Sequence, residues 1–119
     1  MARELVVKVT CGIEAPERAN QGFTVAATAA ASGVPVSLWL TGEAAWLAVP
    51  GRGHLDLPMA TPLPELLQTI LEHGHLTVCG QCAARRELTE DELLPGARIA
   101  GASAFVEESL REGVQALVY

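Results

Sequence analysis

Five short runs suited to β-strands, at 4–10, 34–41, 75–79, 97–101 and 114–119, are each separated from the next by helix-like segments and loops. This alternation constrains the fold more than any single motif does. Strands divided by helices cannot pair as tight hairpins, so the chain must cross over between them, giving a mainly parallel sheet with helices on both faces. The run VPVSLWLT at 34–41 is almost wholly apolar, as a strand covered on both faces must be.

The helices can be placed by their stops and caps. Pro16 suits a first turn, and Ala19, Phe23, Ala26, Ala27 and Ala30 recur at helical spacing within 17–32 before Gly33 ends the run. The alanines allow close approach to a sheet. A second helix is predicted with Thr61 as N-cap and Pro62 at its first position. Its stripe is Leu63, Leu66, Leu67, Ile70 and Leu71, and Gly74 closes it. Thr89 to Glu92 reads as a capping box on one short turn stopped by Pro95-Gly96, and 103–112 reads as a last helix ended by Gly113. Gly42-Glu43 turns the chain into a short helical AAWLAV. The segment 50–60, with two glycines and two prolines, is a loop long enough to suggest a lid or an interface. No linker or repeat divides the chain, so a single domain over 1–119 is expected.

Eight basic residues against fourteen acidic ones, a net charge of −6, argue against direct nucleic-acid binding. No stretch approaches the ~20 apolar residues of a membrane span, and MARELVVKV lacks the pattern of a signal peptide. A cytoplasmic protein with no membrane partner is expected. Three cysteines do not make a disulfide framework, and a C-x-x-C in a reducing compartment points to redox, sulfur or metal chemistry.

That motif is Cys79-Gly80-Gln81-Cys82, where a strand runs into a helix-prone segment bearing Arg85 and Arg86. A thiol at a helix N-terminus meets unpaired amides and the positive end of the helix dipole, which favour the thiolate. The arginines lie about two turns further on, so their direct effect on the sulfur is modest. Cys82, three residues on, is within reach for a disulfide or a sulfur transfer. In a parallel sheet the strand ends share one edge, so Cys11, Thr41-Gly42-Glu43, Cys79 and Gly101 should collect along it, with Gly12 among the supporting residues. Cys11 is expected about 10 Å from Cys79, too far for a disulfide, if one strand intervenes. Lys8 reads as a snorkelling or interface residue. Trp39 and Trp46 could line a pocket, although core packing accounts for both. His73, His75, Cys79 and Cys82 resemble a zinc set, but along a strand His75 would lie about 13 Å from Cys79, so no metal is expected without His54 or a second subunit. No phosphate-loop, dinucleotide or Ser-His-Asp pattern is present, and no cofactor is implied.

Taken in order, Val78-Cys79 with Arg85-Arg86 behind it, the ending ARIAGASAFVEESLREGVQALVY, the helix PERANQGFTVAATAAASG and the strand-turn VSLWLTGEAAWLA resemble the DsrE/TusD-like (DsrE/DsrF-like) sulfur-relay family over nearly the whole chain. The resemblance implies a three-layer α/β/α sandwich on a five-stranded sheet and assembly into homo-trimers or hexamers. It also implies a reactive cysteine that takes sulfane sulfur from a donor protein or thiol as a persulfide and hands it to an acceptor. That cysteine falls on Cys79. Glu87 stands where many relatives have glycine, and Cys82 is absent from some of them. The alternatives are a thiol–disulfide redox protein using Cys79 and Cys82, and an oligomeric binding module whose thiols only pack.

Overall fold

Strand β1 (Glu4–Val9) sits near the middle of a five-stranded sheet. The computed structural model describes residues 3–119. After β1 come α1 (Pro16–Ala31), β2 (Val36–Leu40), a 3-10 helix (Gly42–Ala48), α2 (Leu63–His73), β3 (Gly74–Cys79), α3 (Gly80–Arg85), a 3-10 turn (Glu90–Glu92), β4 (Arg98–Ala100), α4 (Ala102–Ser109) and β5 (Val114–Val118). The strand order is β4-β3-β2-β1-β5, and every pairing is parallel. The mainly parallel five-stranded α/β architecture expected from the alternation is thus present.

This order dictates which face each connection covers. Crossovers between parallel strands are right-handed, so the steps from β1 to β2, β3 and β4, all in one direction across the sheet, lay their helices on one face. The return from β4 across the sheet to β5 puts α4 on the other. The first face holds the main core, where Val7, Val9, Leu38, Leu40, Leu76 and Val78 meet Phe23 and Ala26 of α1 and Leu67 and Ile70 of α2. The alanine stripe of α1 supplies the close approach.

The second face is smaller and partly polar. Lys8, Trp39, Thr77 and Arg98 lie side by side in register across four strands. Phe105 of α4 packs edge-on against Trp39 with ring centres 5.4 Å apart, and the Lys8 ammonium lies 3.8 Å from the Phe105 centroid. Glu108, also on α4, accepts hydrogen bonds from Ser37 Oγ at 2.6 Å, Trp39 Nε1 at 3.1 Å and Arg98 Nη2 at 2.7 Å. Burial pushes its carboxyl up, but these bonds and the Arg98 charge outweigh it and hold the group below its ordinary value. A buried carboxylate therefore pins α4 on this face.

The helix ends follow local chemistry, with two differences from expectation. Gly33, at φ +87°, closes α1 as the left-handed residue of a double cap in which the Gly33 and Val34 amides donate to Ala30 and Ala29. The Thr89–Glu92 capping box is also formed. The second helix, however, starts at Leu63 with Pro62 as its N-cap, and the Thr61 hydroxyl caps nothing: Pro62 has an extended ψ of 135°, so the helix cannot include it. Gly74 does not close that helix in a left-handed turn. It is extended, the first residue of β3, and a Cβ there would strike the Val36 carbonyl. Residues 50–60 contain no strand or helix, as expected of a loop.

Candidate functional site

Cys79 is both the last residue of β3 and the N-cap of α3. It pairs in register with Ala100, the last residue of β4. The chain leaves β3 toward the first face, where Cys82 and Ala83 of α3 join the main core. It leaves β4 toward the second face, into α4. Neighbouring parallel strands whose connections diverge open a crevice at their C-terminal ends, the place where open α/β sheets hold ligands. Cys79 stands at this point of divergence with a free, half-buried thiol. Gly80 fits against the end of β4, a Cβ there falling 3.7 Å from the Ala100 carbonyl.

The surroundings of Cys79 favour its charged form. Burial alone pushes the thiol up, but the amide and thiol of Cys82, the amide of Gln81 and the charge of Lys8 together carry it below the ordinary value. Gln81 contributes through its backbone, its side chain being exposed. Lys8 alternates onto the same sheet face as Thr77 and Cys79, and the Phe105 ring holds its ammonium there. The sequence signal for Lys8 was a cation interrupting an apolar strand. Its role was hidden because the parallel register, not chain proximity, brings it toward Cys79.

Cys82 is buried in the main core, and its sulfur accepts a hydrogen bond from the Gly42 amide at 3.1 Å. Glu43 receives Arg86 Nε at 3.0 Å and Nη2 at 2.8 Å, while Arg86 Nη1 donates to the Cys82 carbonyl at 3.1 Å. Arg86 thus spends its charge on a clasp between α3 and the turn after β2. The clasp gives Arg86 a structural role, and Arg85 faces solvent.

Gly12 closes the site from the β1 side. A Cβ there would come within 2.7 Å of the Glu43 carbonyl, so only glycine lets the two turns touch, and its amide donates to Glu14 at 2.7 Å. Cys11 reaches the same edge but stays apart from the thiol pair. It follows β1, two strands from β3, is buried, and directs its thiol to the Ala15 carbonyl at 3.8 Å. Burial pushes its thiol up, which disfavours its thiolate. Gly42, Glu43, Cys79, Gly80, Gln81, Cys82 and Arg86 therefore form one constellation, with Gly12 behind it and Cys11 and Arg85 outside.

His75 and Cys79 lie toward opposite ends of β3, and no group of three or more His, Cys, Asp or Glu side chains suited to a metal occurs among the described residues. The tryptophans diverge. Trp39 is core on the second face, whereas Trp46, with the Arg52 guanidinium 3.8 Å from its ring centre, lines a cleft of about 400 Å³ together with Ile13, Glu43, Leu47 and Leu55. The 50–60 loop thus forms one wall of a cleft that shares Glu43 with the thiol site.

Known proteins agree with this architecture. The chain is 34% identical over 103 residues to protein MJ0989 of Methanocaldococcus jannaschii, a match covering 81% of this chain and 88% of that protein. Its fold resembles the crystal structure of the ychN protein from E. coli, with TM-score 0.81, 15% identity and full coverage of both chains. It also resembles MTH1491 from Methanobacterium thermoautotrophicum, with TM-score 0.63, 10% identity and again full coverage. A family profile matches residues 4–117, nearly the whole of the sheet and its helices, and by that match the chain belongs to the DsrE/DsrF-like family.

Proposed function

We propose that this protein is a sulfur carrier that holds sulfane sulfur as a persulfide on Cys79. The observation that carries this reading is the half-buried thiol at the diverging ends of β3 and β4, with two amides, a thiol and Lys8 favouring its thiolate. In the accepting step the Cys79 thiolate attacks the outer sulfur of a donor persulfide. A new S–S bond forms on Cys79, the donor's own S–S bond breaks, and the donor leaves as a thiolate. Release is the same exchange in reverse, with the acceptor thiolate attacking the outer sulfur on Cys79. No oxidant, metal or cofactor enters either step.

The reading places the protein in the reducing cytoplasm, where such thiols remain free, with donor and acceptor proteins or thiols as its partners. It also takes the protein to work as a homo-oligomer, a trimer or hexamer as the family resemblance implies. Val106, Leu110 and Val118, exposed at 52%, 79% and 63%, supply apolar surface for this on α4 and the chain around it. The test is the intact mass of the protein after exposure to a persulfide donor. A sulfur increment that Cys79→Ser abolishes and Cys11→Ser preserves is the expected result; an unmodified Cys79 across donors sinks the reading. A thiol–disulfide activity is the second reading, favoured by the place of Cys82 one turn from Cys79. It requires a reversible disulfide between them and fails if Cys82→Ser leaves activity intact.

A further inference from the structure

Sulfur arrives at a carrier on another molecule, and beside the Cys79 site lies a cleft fitted to a small one. We infer that the cleft between Trp46 and the 50–60 loop binds a low-molecular-weight thiol with an amino-acid head, in the persulfide form that loads Cys79. Arg52 takes the carboxylate of that head and Asp56 its ammonium. The inference rests on Cys79 being the sulfur-accepting thiol proposed above.

Three observations carry it. The first is a pair of charges that do not meet. Arg52 and Asp56 line the same cleft, yet neither belongs to any salt bridge among the described residues. Opposite charges left apart in one cleft suit a ligand that carries both signs. The second is how Arg52 is held. Its guanidinium lies 3.8 Å from the centre of the Trp46 ring. Stacking occupies a face of that planar group and leaves its edge N–H groups to donate as a fork, the geometry a carboxylate accepts. An arginine already held in this way also loses less freedom on binding than one that swings in solvent. Arg86, by contrast, is bound to Glu43 and has no such fork to offer.

The third is size and reach. About 400 Å³ lies in the range of small-molecule sites, and Ile13, Leu47 and Leu55 give the cleft apolar walls for a ligand's stem. Glu43 forms the lip toward the thiols. Its neighbour Gly42 donates to Cys82 Sγ at 3.1 Å, and Cys82 lies one helical turn, about 5 Å, beyond Cys79. The lip is therefore about 10 Å from the reacting sulfur, the span of about three extended residues. A thiol of tripeptide size covers that distance, whereas a single amino acid does not. In loading, the Cys79 thiolate attacks the outer sulfur of the bound R–S–S–H. The S–S bond to Cys79 forms as the ligand's own breaks, and the proton stays on the transferred sulfur. R–S⁻ leaves with the electron pair of the broken bond and takes a proton from solvent.

The test separates binding from chemistry. S-methylglutathione, a tripeptide thioether that Cys79 cannot attack, should bind the full chain in titration calorimetry. Arg52→Gln and Asp56→Asn, both at exposed positions, should each weaken that binding about five- to tenfold, the weight of one charge-assisted hydrogen bond open to solvent. Asparagine also tolerates the left-handed backbone of position 56, at φ +50°. In a loading assay read by intact mass, Arg52→Gln should slow transfer from glutathione persulfide about five- to tenfold more than transfer from mercaptoethanol persulfide, which has no charged head. Absent binding, binding indifferent to both substitutions, or equal slowing with the two donors overturns the inference, as does a dependence on Arg52 seen only with a protein donor. A probe that binds as described beside a Cys79 that never gains sulfur leaves the cleft a site for such thiols and sinks the carrier function. A Cys79 that loads equally well in the parent chain and in Arg52→Gln from both donors sinks the cleft alone.

Discussion

At the scale of single residues, the start of α3 acts most strongly on the Cys79 sulfur, and a cation adds to it. The sequence offers Arg85 and Arg86, close in the chain; the folded protein uses Lys8, from the first strand. Arg86 is absorbed by Glu43, and an ion pair presents little net field to a third group. Lys8 has no carboxylate partner among the salt bridges of the described residues and is held over the Phe105 ring instead, so its charge remains available. Replacing Lys8 by Met should therefore raise the midpoint of Cys79 alkylation by about half a pH unit, while Lys8→Arg should leave it nearly in place. The sign follows from the charge: a cation favours the thiolate, its loss favours the thiol, and reactivity at neutral pH falls. An unchanged midpoint in Lys8→Met would show that the amides and Cys82 suffice without it. Cys79 itself was legible in the sequence, because a thiol at the end of an apolar strand before a helix has few other placements in a parallel α/β protein.

Among the elements, α3 shows how a local rule can be broken and still tolerated. It ends in a double cap, with the Glu87 amide bonded to Ala84 at 3.1 Å and the Leu88 amide to Ala83 at 2.9 Å. This cap requires a left-handed residue at 87, and Glu87 sits there at φ +56°. A side chain in that conformation costs about 1 kcal/mol that glycine avoids. Glu87→Gly should accordingly stabilise the protein by about 0.5–1 kcal/mol in a denaturant titration, without moving Cys79 alkylation. A destabilised variant would mean that the Glu87 side chain holds something its backbone does not reveal. The resemblance to relatives with glycine here marked the position; the dihedral supplies the reason. By contrast, the closing role given to Gly74 failed because strand β3 begins without an intervening turn, and the absence of a Cβ there serves the approach of β2.

For the whole molecule, the order of the strands leaves the two faces unequal. Among the described residues three connections cover the first face and α4 alone covers the second, pinned by Glu108 and flanked by exposed Val106, Leu110 and Val118. Apolar side chains left uncovered in this way favour a partner surface. If copies of the chain meet there, Leu110→Glu should shift the protein toward monomers in sedimentation, since a buried leucine contributes about 2 kcal/mol to an interface and a buried unpaired carboxylate opposes it. An unaltered assembly would place the contact elsewhere, and the 50–60 loop is then the next surface to change.

By itself the sequence determined the alternation of elements, hence a parallel sheet, and the place of the Cys79 thiol at its C-terminal edge. These follow from local period, caps and covalent order, which act within a few residues. Only the tertiary structure decided that β3 and β4 diverge at Cys79, that Lys8 rather than the arginines acts on the sulfur, and that Gly42 and Glu43 hold Cys82 in place. Each of these depends on strand order and register. Those are set by which apolar faces bury one another across the sheet, and such contacts join residues far apart in the chain through space alone.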